Sequence, residues 1–91
     1  MLIIAKSITA LGQAQRLASE QDSVLLVESA VYAAISQHQA FSYLKGLNVS
    51  VLREDLQARG IEERVSPSLN KVDFDGFVQL TTLHIQSITL D

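Results

Sequence analysis

Val49-Ser50-Val51-Leu52-Arg53-Glu54-Asp55-Leu56-Gln57-Ala58-Arg59-Gly60 passes from strand to helix to stop within one phrase. The four strand-forming residues Val49 to Leu52 predict a buried strand. Arg53 to Arg59 predicts a short helix, with Glu54 and Asp55 where the helix dipole favours negative charge and Leu56 directed to the core. Gly60 suits the C′ position, where a left-handed residue ends the helix. The same grammar appears upstream. Leu2-Ile3-Ile4-Ala5 is wholly apolar, as in a strand covered on both faces. Ser7 predicts an N-cap for a helix from Ile8 to Ser19, whose Ile8, Leu11, Ala14, Leu17 and Ala18 share one face. After the polar break Glu20-Gln21-Asp22-Ser23, Val24-Leu25-Leu26-Val27 predicts a second buried strand. This strand–helix–strand unit is long enough for a right-handed parallel crossover.

Between these phrases, Ser29 is expected to cap a short helix through Ala30 to Ile35. Ser36 to Gln39 reads as a loop, and Phe41 to Lys45 as a helical turn ended by Gly46. Glu62 to Asn70 is a polar connection broken by Ser66-Pro67-Ser68. Asp73 predicts the cap of a helix whose Phe74, Phe77, Val78 and Leu83 seek the core, and Ile85 to Leu90 a short last strand. Alternation of strand and helix defines the fold class as α/β: a single domain, 1–91, with a small, mostly parallel sheet of three to five strands and helices on both faces.

A chain of 91 residues buries only roughly 60–65% of its unfolded surface. Yet 47% of the residues are hydrophobic and 19% charged, against roughly 25% charged in an average soluble chain. The apolar excess predicts surface buried against other chains, and self-association when the chain is isolated. Net charge is −3, and the seven cations are scattered, so no direct nucleic-acid binding is expected. The apolar start is too short for a signal peptide, and no run approaches the ~18 residues that span a bilayer. No membrane association is expected, and the cytoplasm is the default compartment.

Chemistry has few places to reside. Ligands of an open parallel sheet gather beyond the carboxyl ends of its strands, here Ala5-Lys6-Ser7, Val27-Glu28-Ser29 and Leu52-Arg53-Glu54. No glycine-rich turn feeds a helix start, and His38 and His84 lack ligand spacing, so neither cofactor nor metal is expected. Glu54 and Asp55 diverge by about 100° on a helix and suit a solvated first turn. There is no cysteine, so the chain holds no thiolate for a persulfide. The segment Ala30 to Ile35 carries no charge, as in a helix buried against a core or a second chain. Glu28, Ser29, Val31 and Tyr32 are therefore the candidate partner-interface residues, with Asp55 and Arg59 as rim contacts. Asp55 and Arg59 also stand four apart on one helix, where they can simply pair with each other.

The order Glu28-Ser29-Ala30-Val31, then Leu52 to Gly60, then Val72-Asp73-Phe74-Asp75-Gly76-Phe77-Val78 resembles the TusB/DsrH family over nearly the whole chain. The resemblance implies a DsrE/DsrF/DsrH-like fold and a bacterial cytoplasmic subunit that assembles with TusC-like and TusD-like partners. Two such heterotrimers form a heterohexamer that relays persulfide sulfur for 2-thiolation of the tRNA wobble uridine. The reactive cysteine belongs to the TusD-like subunit, so this chain is expected to be an accessory subunit rather than an enzyme. The DsrH-like branch serves sulfur oxidation and can carry its own cysteine, which this chain lacks. Alternatives from other classes are a stand-alone domain binding a small ligand at the Glu28–Tyr32 edge and a sulfurtransferase in its own right.

Overall fold

A computed structural model describes residues 1–91. Five strands, all parallel, form one sheet: β1 (Leu2–Ala5), β2 (Ser23–Leu26), β3 (Asn48–Leu52), β4 (Asn70–Val72) and β5 (Ser87–Leu90). Their spatial order is β4-β3-β2-β1-β5. The register sets Ile3 beside Val24 and Val24 beside Val49, so the apolar rows align across the centre. Helices α1 (Ile8–Leu17), α2 (Arg53–Ala58) and α3 (Phe74–Leu83) make the α-helical connections. The link from β2 to β3 is instead built from two 3₁₀ helices, Glu28–Ala34 and Gln39–Leu44, and a third, Glu62–Arg64, precedes β4.

The N-cap signal of α1 acts as read, but the helix ends at Leu17 rather than Ser19, and Leu17, expected on the apolar face, is 54% exposed. Ser7 is its N-cap and accepts from the Ala10 N–H at 3.0 Å. Gly46 and Gly60 both take positive φ, at 80° and 66°, the left-handed stops that side chains with a Cβ resist. The main core lies on one face of the sheet. There Ile3, Ala5, Val24, Leu26, Val49 and Val51 pack beneath α1, the first two 3₁₀ helices and Leu56 of α2. On the opposite face Leu2, Leu25, Val27 and Leu52 form a smaller cluster against Phe77 and Leu80 of α3.

Three further expectations are corrected. The segment after β2 is a 3₁₀ helix that starts at Glu28 with Val27 at its cap; Ser29 lies inside it and caps nothing. Asn70–Val72, read as the end of a polar connection, is the edge strand β4, paired Val51 to Lys71 and Leu52 to Val72. An edge strand needs only one covered face, so Asn and Lys are tolerated and the apolar signature is lost. Asp73 does cap α3, accepting from the Gly76 N–H at 2.9 Å, but Phe74, Val78 and Leu83 do not reach the core. They are 58%, 60% and 77% exposed, and only Phe77 of the expected set packs inward. Gly76 permits this seating: a Cβ there would stand 3.0 Å from the Val72 Cβ.

Candidate functional site: the carboxyl edge of the sheet

At the carboxyl edge the chain places Lys6 after β1, Glu28 after β2, Arg53 after β3, Asp73 after β4 and Asp91 after β5. Glu28 is the one non-glycine residue with positive φ, 51°. For an L-residue with a Cβ that conformation is unfavourable by about 1–2 kcal/mol and is held only when surrounding contacts impose it. The contact here comes from α2. The Asp55 carboxylate accepts from the Glu28 backbone N–H at 2.6 Å, a charge-assisted hydrogen bond across the β2–β3 edge. Ser29, one residue on, donates its Oγ hydrogen to the Lys6 carbonyl at 3.2 Å and ties the same turn to β1.

Electrostatics close the other side of the turn. The Lys6 ammonium lies 3.1 Å from Asp91 Oδ1 and 3.6 Å from Glu28 Oε2. Its pKa is raised, first by the hydrogen bond and charge of Asp91 and then by Glu28. Arg59 places its guanidinium 6.0 Å from the Tyr32 ring centroid, at the limit of cation–π attraction. Asp55 and Arg59 therefore do not pair with each other: each reaches across to the first 3₁₀ helix, at Glu28 and at Tyr32. Glu54, the other acid of the phrase, accepts from the Phe74 N–H at 3.2 Å and links α2 to the start of α3. Its second oxygen, Oε1, is enclosed without a partner.

Five of the six candidate interface residues thus meet in one cluster: Glu28, Ser29, Tyr32, Asp55 and Arg59. Val31 does not join their surface, because it is fully buried and belongs to the core beneath α1. The Asp55 carboxylate, the Glu28 N–H and the Ser29 hydroxyl are occupied within the turn, and the cluster contains neither a thiol nor a serine held by a base. What it performs structurally is to fix one strained turn against β1 and α2.

A second polar group, at the amino ends of the strands, was not legible in the sequence. Buried Ser23 receives Asn48 Nδ2 at 3.1 Å and lies 3.2 Å from His84 Nε2, a residue 61 positions away. A serine beside an imidazole has the form of a nucleophile and base. The ion pairs of the chain, however, belong to Met1, Lys6 and Arg53, so no carboxylate orients His84. The trio ties β2, β3 and the end of α3 together. No group of three or more His, Cys, Asp or Glu residues stands close enough to share a metal ion, and no helix is long and apolar enough to cross a membrane.

Comparison with known proteins agrees with the architecture. The family model described as DsrH like protein matches residues 6–87. Protein TusB of Escherichia coli strain ED1a is 38% identical over 71 residues, covering 76% of this chain and 75% of that one. Protein TusB of Escherichia fergusonii is 35% identical over 75 residues, 80% and 79% of the two chains. Among solved structures, the ychN protein of E. coli superposes with a TM-score of 0.74 over 98% of this chain and 97% of its own, at 15% identity, a likeness of fold alone. With a matching model over nearly its full length and relatives this similar, the chain belongs to the DsrH-like family, together with the TusB proteins.

Proposed function

We propose that this protein is a non-catalytic structural subunit of a sulfur-relay complex that supports 2-thiolation of the tRNA wobble uridine. The observation that carries the reading is a DsrH-like, TusB-related chain without a single cysteine. A relay passes sulfane sulfur from one thiolate to the next, and neither hydroxyl nor carboxylate can take that place. The sulfur-carrying cysteine then lies on another chain, and this subunit contributes buried area and correct placement. Its partners are TusC-like and TusD-like subunits, assembled as two heterotrimers in a cytoplasmic heterohexamer. The clamped turn at Glu28, Ser29 and Tyr32, flanked by Asp55 and Arg59, supplies a preorganised rim for such an assembly. Rigid polar contacts of this kind favour specificity, since little side-chain freedom is lost on docking.

Co-expression with TusC-like and TusD-like chains tests the proposal. Affinity capture of the TusD-like chain is expected to recover this protein in fixed stoichiometry. Recovery of the other two without it, under conditions where they associate, would overturn the proposal.

A further inference from the structure

A cavity opens at the amino edge of the sheet, the end opposite the clamped turn. It is lined from the second 3₁₀ helix, Gln39–Leu44, and from the turn that leads into β4, and its volume is about 450 Å³. Phe41, Leu44, Leu47 and Leu69 supply an apolar wall, with Lys45 and two serines beside them. Leu47 and Leu69 immediately precede β3 and β4, so two neighbouring strands fix their spacing. Phe41, Leu47 and Leu69 pack on the main core, yet each is only half-buried. Cavities that hold small molecules measure roughly 300–1,000 Å³ and are mostly apolar, with a few placed polar groups. This one has both the size and the composition.

The polar groups around it offer hydrogen-bond donors. Ser42 donates its hydroxyl hydrogen to the Gln39 carbonyl, at 3.2 Å. Ser66, only 8% exposed, accepts from the Ser68 N–H at 3.3 Å and stands 2.8 Å from Ser68 Oγ. A buried hydroxyl needs its hydrogen placed as well as its oxygen. Ser66 Oγ has no further partner, so it is satisfied on both counts only as the donor to Ser68 Oγ. The hydroxyl hydrogen of Ser68 is then free, on an exposed residue that lines the cavity. Lys45 takes part in none of the ion pairs of the chain, and no Asp or Glu lines the cavity. An apolar wall beside a free ammonium and a free hydroxyl hydrogen matches an apolar body that ends in an anionic acceptor.

We propose that this cavity binds a small amphiphilic carboxylate. Its hydrocarbon or aromatic body lies against Phe41, Leu44, Leu47 and Leu69, and its carboxylate is held by Lys45 and Ser68. Burial of the body supplies the attraction, and the head group supplies the selection. A carboxylate meets donors, an ammonium meets the like charge of Lys45, and a neutral alcohol gains no charge-assisted bond. The hollow takes a single small molecule, whereas a folded partner needs a far wider surface, roughly 800 Å². The proposal does not depend on the relay reading.

Calorimetric titration of the full chain with octanoate, octanol and octylammonium tests it, because the three share a chain length and differ in the head group. Octanoate is expected to bind at one site with a Kd of about 1 mM or below, in keeping with its size, and more tightly than the other two. Lys45→Glu, at an exposed residue, is expected to keep its circular dichroism, to weaken octanoate roughly fivefold or more, and to abolish its advantage over octylammonium. Val78→Asp, at a 60% exposed residue of α3 across the sheet, is expected to bind octanoate as the wild type does. Amide NMR shifts on titration are expected at Phe41 to Leu47 and at Ser68 and Leu69. An absence of saturation by about 10 mM octanoate or equal binding of the three head groups overturns the proposal. Indifference to Lys45→Glu, loss with Val78→Asp, or shifts gathered on α3 overturns it equally.

Discussion

Removing the Asp55 carboxylate, as in Asp55→Ala, releases the clamp on the strained turn at Glu28. The bond is short, 2.6 Å, and its acceptor is charged; such bonds contribute about 1.5–3 kcal/mol when shielded. Both residues are at least partly exposed, so water can replace part of the interaction, and a cost of about 1–2 kcal/mol is expected. For a domain of this size that lowers Tm by roughly 5–15 °C. Glu28→Gly acts in the opposite sense. It removes the unfavourable φ of 51° and gives up only an exposed 3.6 Å contact with Lys6 that contributes little. The variant should match or exceed the wild type by up to about 1 kcal/mol. The double variant decides the mechanism: if Asp55 acts by holding Glu28, its removal is less damaging once glycine occupies 28. Urea unfolding of the four proteins measures this coupling. Strict additivity of the two changes would refute the argument.

Gly76→Ala brings a Cβ to 3.0 Å from the Val72 Cβ. The overpacking of about 1–3 kcal/mol should outweigh the roughly 1 kcal/mol gain in helix propensity, and Val72→Ala should restore stability in thermal melts. Asp22 contributes to stability on the acid side. Its pKa is lowered to about 2, chiefly by the Ser19 backbone N–H and then by the Met1 ammonium. Because the folded value lies below the ordinary ~3.9 of an unfolded chain, this stabilisation is complete above about pH 4 and is lost as pH falls toward 2. Asp22→Asn should melt below the wild type at pH 6, with the difference vanishing near pH 2; a constant gap across that window would contradict the assignment.

The central strands were legible because residues covered on both faces leave uninterrupted apolar runs, as at Leu2–Ala5 and Val24–Val27, and because glycine at 46 and 60 has a conformational reason to be there. What failed depends on the rest of the molecule. Asn70-Lys71-Val72 is a strand by virtue of pairing with β3, and nothing in its three residues announces that. The apolar residues of α3 have helical spacing, but spacing does not say which side a helix turns to a sheet; the close approach at Gly76 decides it and leaves Phe74 and Val78 outside. The carboxyl-edge cluster was half visible. Glu28, Ser29 and Tyr32 were found from their place after β2, whereas the bond from Asp55 to a backbone N–H 27 residues away exists only in three dimensions. Val31 lies in the core and Phe74 outside it for one reason: an apolar segment signals burial without naming what covers it.

In the proposed function this chain supports sulfur transfer without carrying sulfur. Intact-mass spectrometry of the reconstituted complex, after loading from a persulfide donor, tests it most directly. A mass gain of sulfur is expected on a partner subunit, none on this chain, and reduced loading when this chain is left out. Sulfur bound covalently to this chain, or full loading of the partners in its absence, would contradict it.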